Sequence, residues 1–332
     1  MRGSWVEPDV RDLVVETMLE YQGRTDLALR KLLSFAGISS STYYEWQRRY
    51  VLPNLHNGKV PKFHWLLEEE KEAIVQYARE NREEGYKRLT YRMIDEDVVY
   101  ASPSSVYRVL KEHGLLGRFV LVKRGVKGKG YLQPDGPHRE WHVDISYVNI
   151  LGTFLFLMAV LDGYSRFVVH HELRASMEEK DVELVVQRAL EMFPGQRPRI
   201  ISDHGGQFIS KEFMRFIRYV GLVHTLTSVG YPQSNGKIER FIRTAKSECI
   251  RKRSFLSIED ARRQIQEFIF YYNHKRLHSA IGFITPYDML MGRKEEITRT
   301  REEKLQGARK KRIETFNNFS TLTQEAVLSN SR

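Results

Sequence analysis

The chain has 332 residues, 53 Lys and Arg against 42 Asp and Glu, a formal charge of +11 and a single cysteine. With 41% apolar and 29% charged residues it can bury cores in roughly two or three domains, which excludes wholesale disorder. The longest uninterrupted apolar run, Phe154 to Leu161, is far short of the ~20 residues that span a bilayer, and the N-terminus has no signal-peptide core, so a cytosolic protein with no membrane partner is expected. Cys249 alone permits neither an internal disulfide nor a cysteine-rich zinc site, so any metal must be held by carboxylates or histidines. Excess positive charge points first to nucleic acid, with an ordinary basic enzyme as the plainer alternative.

Apolar residues follow a helical period from Val10 to about Arg49, interrupted at Gly37, after which Ser39 to Ser41 offer cap hydroxyls for a helix carrying Tyr43, Tyr44 and Trp46. A linker rich in Pro, Asn and Gly follows, with Pro53, Asn54, Gly58 and Pro61. A second helical unit runs through Leu66 to Asn81, Tyr86 to Val98, and a helix capped by Ser102 with Pro103 in its first turn, closed by Gly114. Lys111 to Gly130 holds Lys111, Arg118, Lys123, Arg124, Lys127 and Lys129 against Glu112, a glycine-rich stretch with a balance of +5.

From His138 the period changes to that of a strand, with Trp141, Val143, Ile145 and Tyr147 alternating against His142, Asp144, Ser146 and Val148. Strands at Phe154 to Leu161 and Arg166 to Glu172 complete a meander around the Asp162-Gly163 turn. The order continues with a helix at Met177 to Phe193, a strand at Arg199 to Ser202, a helix at Lys211 to Tyr219, a strand at Val223 to Leu226 and a long helix from Ile238. A helix at Ile258 to about Tyr272 follows. The helix-prone stretch from Arg293 to Arg312 carries nine basic residues against four acidic ones.

Asp144 lies inside the first strand, Asp203 just past the fourth and Glu239 near the start of a helix. If the first and fourth strands are neighbours, both aspartates leave the same edge, and a helix packed over that edge brings Glu239 to them. Clustered carboxylates repel unless cations neutralise them, and hard oxygen ligands favour Mg²⁺ or Mn²⁺. Two such ions about 3.5 to 4 Å apart suit phosphoryl transfer at a phosphodiester. Taken singly, Asp144 reads more readily as a solvated strand residue than as a site, Asp203 equally as part of a polar turn, and Glu239 as a surface helix residue.

Trp141-His142-Val143-Asp144-Ile145-Ser146, Asp162-Gly163-Tyr164-Ser165-Arg166, Ser202-Asp203-His204-Gly205-Gly206-Gln207-Phe208 and Pro232-Gln233-Ser234-Asn235-Gly236-Lys237-Ile238-Glu239-Arg240 resemble the motifs of DDE transposases and retroviral-type integrases. The match is nearest to bacterial insertion-sequence transposases, extends over roughly residues 25 to 291, and leaves between Asp203 and Glu239 the 35 residues typical of the group. The resemblance implies Asp144, Asp203 and Glu239 as catalytic metal ligands for two Mg²⁺ ions, with Mn²⁺ as a substitute, and Lys246 as a DNA contact. Arg243 shares a helix face with Glu239 and Lys246 by spacing. Arg276 lies in Tyr271-Tyr272-Asn273-His274-Lys275-Arg276-Leu277-His278, which resembles the family's motif after the core and reads equally as a basic helix end. His142, His204 and His278 read as packing or hydrogen-bonding residues.

The expected fold is multidomain, with all-α helix-turn-helix modules preceding an α/β ribonuclease-H-like core whose five-stranded mixed sheet is flanked by helices. The expected boundaries are a first helix-turn-helix at 1–52, a linker at 53–64, a second helix-turn-helix at 65–116, a basic linker at 117–137, the core at 138–292 and a basic tail at 293–332. Candidate DNA contacts are Ser40, Thr42, Tyr44 and Arg48, then Ser104, Ser105, Arg108 and Lys111, and Lys123, Arg124, Gln233 and Lys237. The implied activity is cleavage and strand transfer at the terminal repeats of an insertion sequence and in target DNA. Partners are double-stranded DNA, a second or further copy of the chain, and an upstream-frame protein of the kind such elements encode. No sustained heptad is evident. Rival readings are a DNA-binding regulator with an inactive core and a purely hydrolytic nuclease of the same fold.

Overall fold

The computed structural model describes residues 6–51, 65–116, 133–227 and 235–329, with side chains through residue 318. The chain divides into two compact units, one of Met1–Trp65 with Lys311–Arg332 and the other of Leu66–Lys310.

In the first unit, helices α1 (Pro8–Arg24), α2 (Leu29–Phe35) and α3 (Ser40–Arg48) enclose a small core of Val15, Leu33 and Tyr43. The helical run read from the sequence breaks once more than expected, at Thr25, whose backbone is extended. An unbroken helix would hold Val15 and Leu33 roughly 27 Å apart at 1.5 Å per residue. Folding back at Thr25 lets both meet Tyr43. Gly37, at φ +65°, makes the second turn, and the Ser39 side chain accepts from the Thr42 backbone N–H at 3.1 Å to start α3.

The second unit opens with α4 (Glu68–Glu80), α5 (Tyr86–Asp95) and α6 (Pro103–Glu112), packed through Ile74, Leu89, Met93, Val106 and Leu110. Ser102 caps α6, accepting from the Ser105 backbone N–H at 3.2 Å. Among the described residues, five strands form one mixed sheet in the order β3-β2-β1-β4-β5: β1 (Glu140–Ile150), β2 (Thr153–Asp162), β3 (Val168–Arg174), β4 (Arg199–Ser202) and β5 (Val223–Leu226). The β1–β2 and β2–β3 pairs are antiparallel, and the β1–β4 and β4–β5 pairs are parallel. This is the expected ribonuclease-H-like arrangement.

The two-residue period of β1 separates two cores. Trp141, Val143, Met158 and Val160 pack beneath α7 (Glu179–Met192) and α9 (Lys211–Tyr219), which follows the short α8 (Gly206–Ile209). Val148, Ile150, Leu157, Ala159 and Leu161 lie against α10 (Gly236–Ala245) and α11 (Ile258–His274). The third strand starts two residues later than the sequence suggests, because Arg166 takes a left-handed conformation at φ +67° in the turn. That turn is held by Asp162, whose buried carboxylate accepts from the backbone N–H groups of His138 and Ser165 and from the Ser165 hydroxyl. The long helix expected from Ile238 also changes character, ending as α10 at Ala245 and continuing as a π turn over Lys246–Ile250. Beyond α11 come α12 (Pro286–Leu290) and α13 (Lys294–Ser329), so the basic stretch after Arg293 is helical as expected.

Asn273, at the end of α11, bonds both the N–H (2.9 Å) and the C=O (3.0 Å) of Val168 at the start of β3. All of these groups are buried, and unpaired buried polar groups cost about 1–3 kcal/mol each. Asn273→Leu is therefore expected to destabilise the sheet unit by about 2–4 kcal/mol, read as a lowered denaturation midpoint. A midpoint within experimental error of wild type would show that the stitch contributes nothing.

Candidate active site

Strands β1 and β4 run parallel with His142 opposite Ile201, so the same offset two residues on sets Asp203 level with Asp144. Asp144 lies on the even-numbered face of β1, the face covered by α10. On α10, Ile238, Phe241, Ile242 and Ala245 point into the core, which turns Glu239 and Arg243 to solvent. Asp203 is exposed at the carboxyl end of β4, where ligands of open α/β sheets commonly bind. The structure thus brings Asp144, Asp203, Glu239 and Lys246 into one electrostatic neighbourhood.

Its effect is visible on Asp144, which is half-buried and has its pKa raised from 3.8 to about 7. Burial is the largest cause. The negative charges of Asp203 and Glu239 raise it further, while a hydrogen bond from the Ile145 N–H and the charge of Lys246 oppose the rise. The carboxylates are turned to local donors: Asp144 Oδ1 accepts from Ile145 N at 2.8 Å and Asp203 Oδ1 from Gly205 N at 2.9 Å. A Cβ at Gly205 would lie 2.4 Å from Gln207 Nε2 and 3.1 Å from Asp203 Oδ1, so a side chain there would push the Gln207 amide aside and crowd the Asp203 carboxylate. Among the described residues no three His, Cys, Asp or Glu side chains are gathered tightly enough to hold a metal ion as they stand. The donor set nonetheless fits a hard divalent cation in its chemistry: Asp203 and Glu239 lie within electrostatic range of Asp144, whose burial and carboxylate neighbours disfavour its charge, and a cation would supply the countercharge.

Histidines near the site have other work. His142 is fully buried and kept neutral, its pKa lowered to about 3 mainly by burial and then by Lys237, and a Cβ on Gly163 would approach its Nε2 to 3.0 Å. His278 is buried, with its pKa likewise lowered to about 3 by burial first, and its Nδ1 accepts from the Ala280 N–H. His204 is exposed.

Of the expected DNA contacts, Ser40, Tyr44 and Arg48 are exposed on α3, and Ser104, Arg108 and Lys111 are exposed on α6. Thr42 is half-buried and hydrogen-bonded to the Ser39 hydroxyl. Three others sit where the sequence did not suggest. Ser105 is buried beside its cap partner Ser102 because it occupies the core side of α6. Arg276 is buried in a bidentate pair with Glu248, at 2.7 and 2.6 Å, over the Tyr272 ring. The Lys237 ammonium is turned inward, its pKa lowered to about 8 by burial and then by Arg166. Gln233, Lys123 and Arg124 lie outside the described residues. Sequence reading missed the buried Arg301, because an arginine in a charged helix carries no local mark of burial.

Because the folded chain binds the Asp144 proton more tightly than the unfolded chain, its contribution to stability falls as the pH rises from 3.8 to about 7 and is flat above that. Asp144→Asn removes this penalty. In metal-free buffer it is expected to stabilise the protein by on the order of 1–2 kcal/mol at a pH of about 8, with the gain shrinking towards the acid end of that window. Thermal unfolding of both proteins across the pH range checks this, and a gain that does not vary with pH would contradict it.

Residues 134–232 and residues 220–286 each match an integrase core domain family. The transposase for insertion sequence element IS629 of Shigella sonnei is 22% identical, covering 79% of this chain and 91% of its own length. An insertion element IS407 protein of 31.7 kDa from Burkholderia multivorans is 26% identical over 64% of this chain and 77% of its own. Among solved structures, the HTLV-2 integrase catalytic core domain in complex with magnesium, in its dimeric form, aligns at 17% identity and a TM-score of 0.36, covering 47% of this chain and 96% of that one. An integrase core matched in sequence and insertion-sequence relatives along most of its length support a place for the chain in the DDE transposase/integrase superfamily.

Proposed function

We propose that this protein is a DNA transposase that binds the ends of an insertion sequence and catalyses divalent-metal-dependent strand cleavage and strand transfer. The observation that supports the reading is that Asp203, at a strand end, and Glu239, on a helix, lie close enough to Asp144 in β1 for their charges to raise its pKa, in a chain whose relatives include transposases.

Asp144, Asp203 and Glu239 would hold the divalent cations, two Mg²⁺ ions in the fuller form of the proposal, with Mn²⁺ as a substitute. When bound, their charge activates an attacking oxygen and stabilises the leaving oxygen at a phosphodiester. The chain's own residues position the DNA. Lys246, half-buried at the start of the π turn and close enough to Asp144 to oppose its protonation, places a cation beside the carboxylates where a scissile phosphate needs one. The exposed faces of α3 and α6 read or hold duplex DNA through Ser40, Tyr44 and Arg48 and through Ser104, Arg108 and Lys111. In the first step water attacks phosphorus and the P–O3′ bond breaks, leaving a 3′-hydroxyl and a 5′-phosphate. In the second, that hydroxyl attacks another DNA phosphate and displaces its 3′-oxygen. No protein nucleophile is needed, and catalysis rests on positioning and charge. Pairing two ends in one complex requires at least two protomers.

The test is incubation of the purified chain with labelled DNA spanning the flanks of its gene, in Mg²⁺ or Ca²⁺. Discrete Mg²⁺-dependent nicks and joined products are expected. Asp203→Asn is expected to lower both by at least ~10²-fold. Lys246→Ala is expected to weaken DNA binding and reduce its salt dependence by about one phosphate contact. Binding that persists with no cleavage by the wild type would favour the regulator, and nicks without joining would favour the hydrolytic nuclease.

A further inference from the structure

Helices α4–α6 and the sheet belong to one compact unit, and among the described residues α4–α6 meet the elements around the sheet at α13 with the loop before α12 and near Lys252 and Arg276. At the first, Arg301 of α13 is buried, with 5% exposure, and reaches in two directions. Its Nε and Nη2 donate to the two carboxylate oxygens of Asp95, the last residue of α5, at 2.7 and 2.6 Å. The same guanidinium donates to the carbonyls of Phe283, at 2.8 Å, and Gly282, at 3.4 Å, in the loop before α12. It lies over the Tyr91 ring of α5 at 4.8 Å, and Tyr91 stacks on Phe283 with centroids 4.8 Å apart and planes 19° from parallel. Close by on α13, Lys304 donates to the Ile94 carbonyl at 3.0 Å and pairs with Asp97, satisfying the carbonyl end of α5. At the second junction, Lys252 pairs with Glu83 at 2.6 Å, and Arg88 of α5 is desolvated within range of the Arg276 and Glu248 charges.

These contacts hold α5, and α5 shares its core with α6 through Leu89, Met93, Val106 and Leu110. The exposed face of α6, with Ser104, Arg108 and Lys111, is therefore tied to the unit that carries Asp144, Asp203 and Glu239. Duplex DNA advances about 3.4 Å per base pair, so a slack of a few ångströms between module and sheet displaces the reacting phosphate by one position. A bidentate Arg–carboxylate fork that also bonds two carbonyls has directional geometry and little slack.

We propose that Arg301 is a positioning residue that fixes the register between the DNA sequence read by α6 and the phosphodiester cut at the carboxylate site. This rests on the transposase reading above. The substrate whose cut it phases is duplex element-end DNA.

The test uses the full chain, end-labelled flank DNA that the wild type cuts, and a sequencing gel that reports which phosphate is broken. For Arg301→Ala and Asp95→Ala, cuts spread over neighbouring phosphates are expected, with DNA affinity by filter binding within about twofold of wild type. Arg301→Lys keeps the charge without the fork and is expected to give an intermediate spread. Circular dichroism shows whether each variant is folded, and Arg301→Lys carries the test if the alanine variants are not. Cutting at the single wild-type phosphate, at any rate, in folded variants would overturn the proposal, since a merely structural role changes rate and stability but not position. A wild type that binds but never cuts overturns the transposase reading and the phasing role with it. Hydrogen exchange in α5 then still reads the clamp itself, with faster exchange in Arg301→Ala expected if Arg301 holds the helix.

Discussion

Like charges do not gather unless the backbone compels them, and here the compulsion is the parallel pairing of β1 with β4. Its register sets Asp203 level with Asp144 at the end of the short strand β4, where the chain leaves the sheet and the carboxylate meets solvent. The stability of that pairing comes from elsewhere: Trp141, Val143, Ile200 and Ile201 are buried, and Glu140 pairs with Arg199 across the two strands. Apolar burial and one ion pair therefore hold together groups that repel each other. The elevated Asp144 pKa is the residue of this conflict, a charged form made costly by burial and by neighbours the fold does not let it avoid.

The third carboxylate is aimed by helix phase rather than by strand register. Because Ile238, Phe241, Ile242 and Ala245 commit one face of α10 to the core, Glu239 falls on the rim beside Asp144 without contributing to packing. The π turn over Lys246–Ile250 begins at the lysine, whose N–H still bonds to the Ile242 carbonyl, so Lys246 keeps its helical spacing from Glu239 and the shift falls on the residues after it. Its cation acts on Asp144. The turn is buried at Cys249 and tied through Glu248 to Arg276, so an arginine that looks in sequence like a DNA contact is what holds this end of the site in place.

Much of this was legible in the chain because it is periodic or local. Alternation marked β1 and its two faces, the Ser102-Pro103 pair marked the start of α6, and the spacing and surroundings of Asp144, Asp203 and Glu239 suggested a common edge. What stayed hidden depends on side chains meeting across long separations. Nothing near Asn273 announces that its amide will serve the backbone of Val168, and nothing near Arg276 or Lys237 distinguishes a cation turned inward from one turned to solvent. The break at Thr25 was hidden for a related reason: the period continues through it, and only the need for Val15 and Leu33 to reach the same tyrosine ends the helix there.

The same reasoning applies to the charged first half of α13. Ile297 gives it an apolar contact with the Ile281, Ile284 and Met289 cluster, and the segment near Arg301 docks through Asp95, the Phe283 carbonyl and the Tyr91 ring. An ion pair with one partner at the surface, as Asp95 is, adds little net stability, because solvent screens the attraction and the buried arginine is desolvated. An apolar contact of the same size would hold the helices at least as firmly but would tolerate sliding. The fork between Arg301 and Asp95 does not, since its two hydrogen bonds and the bond to the Phe283 carbonyl are satisfied together in only one placement. What the charged residues contribute at this junction is direction rather than strength.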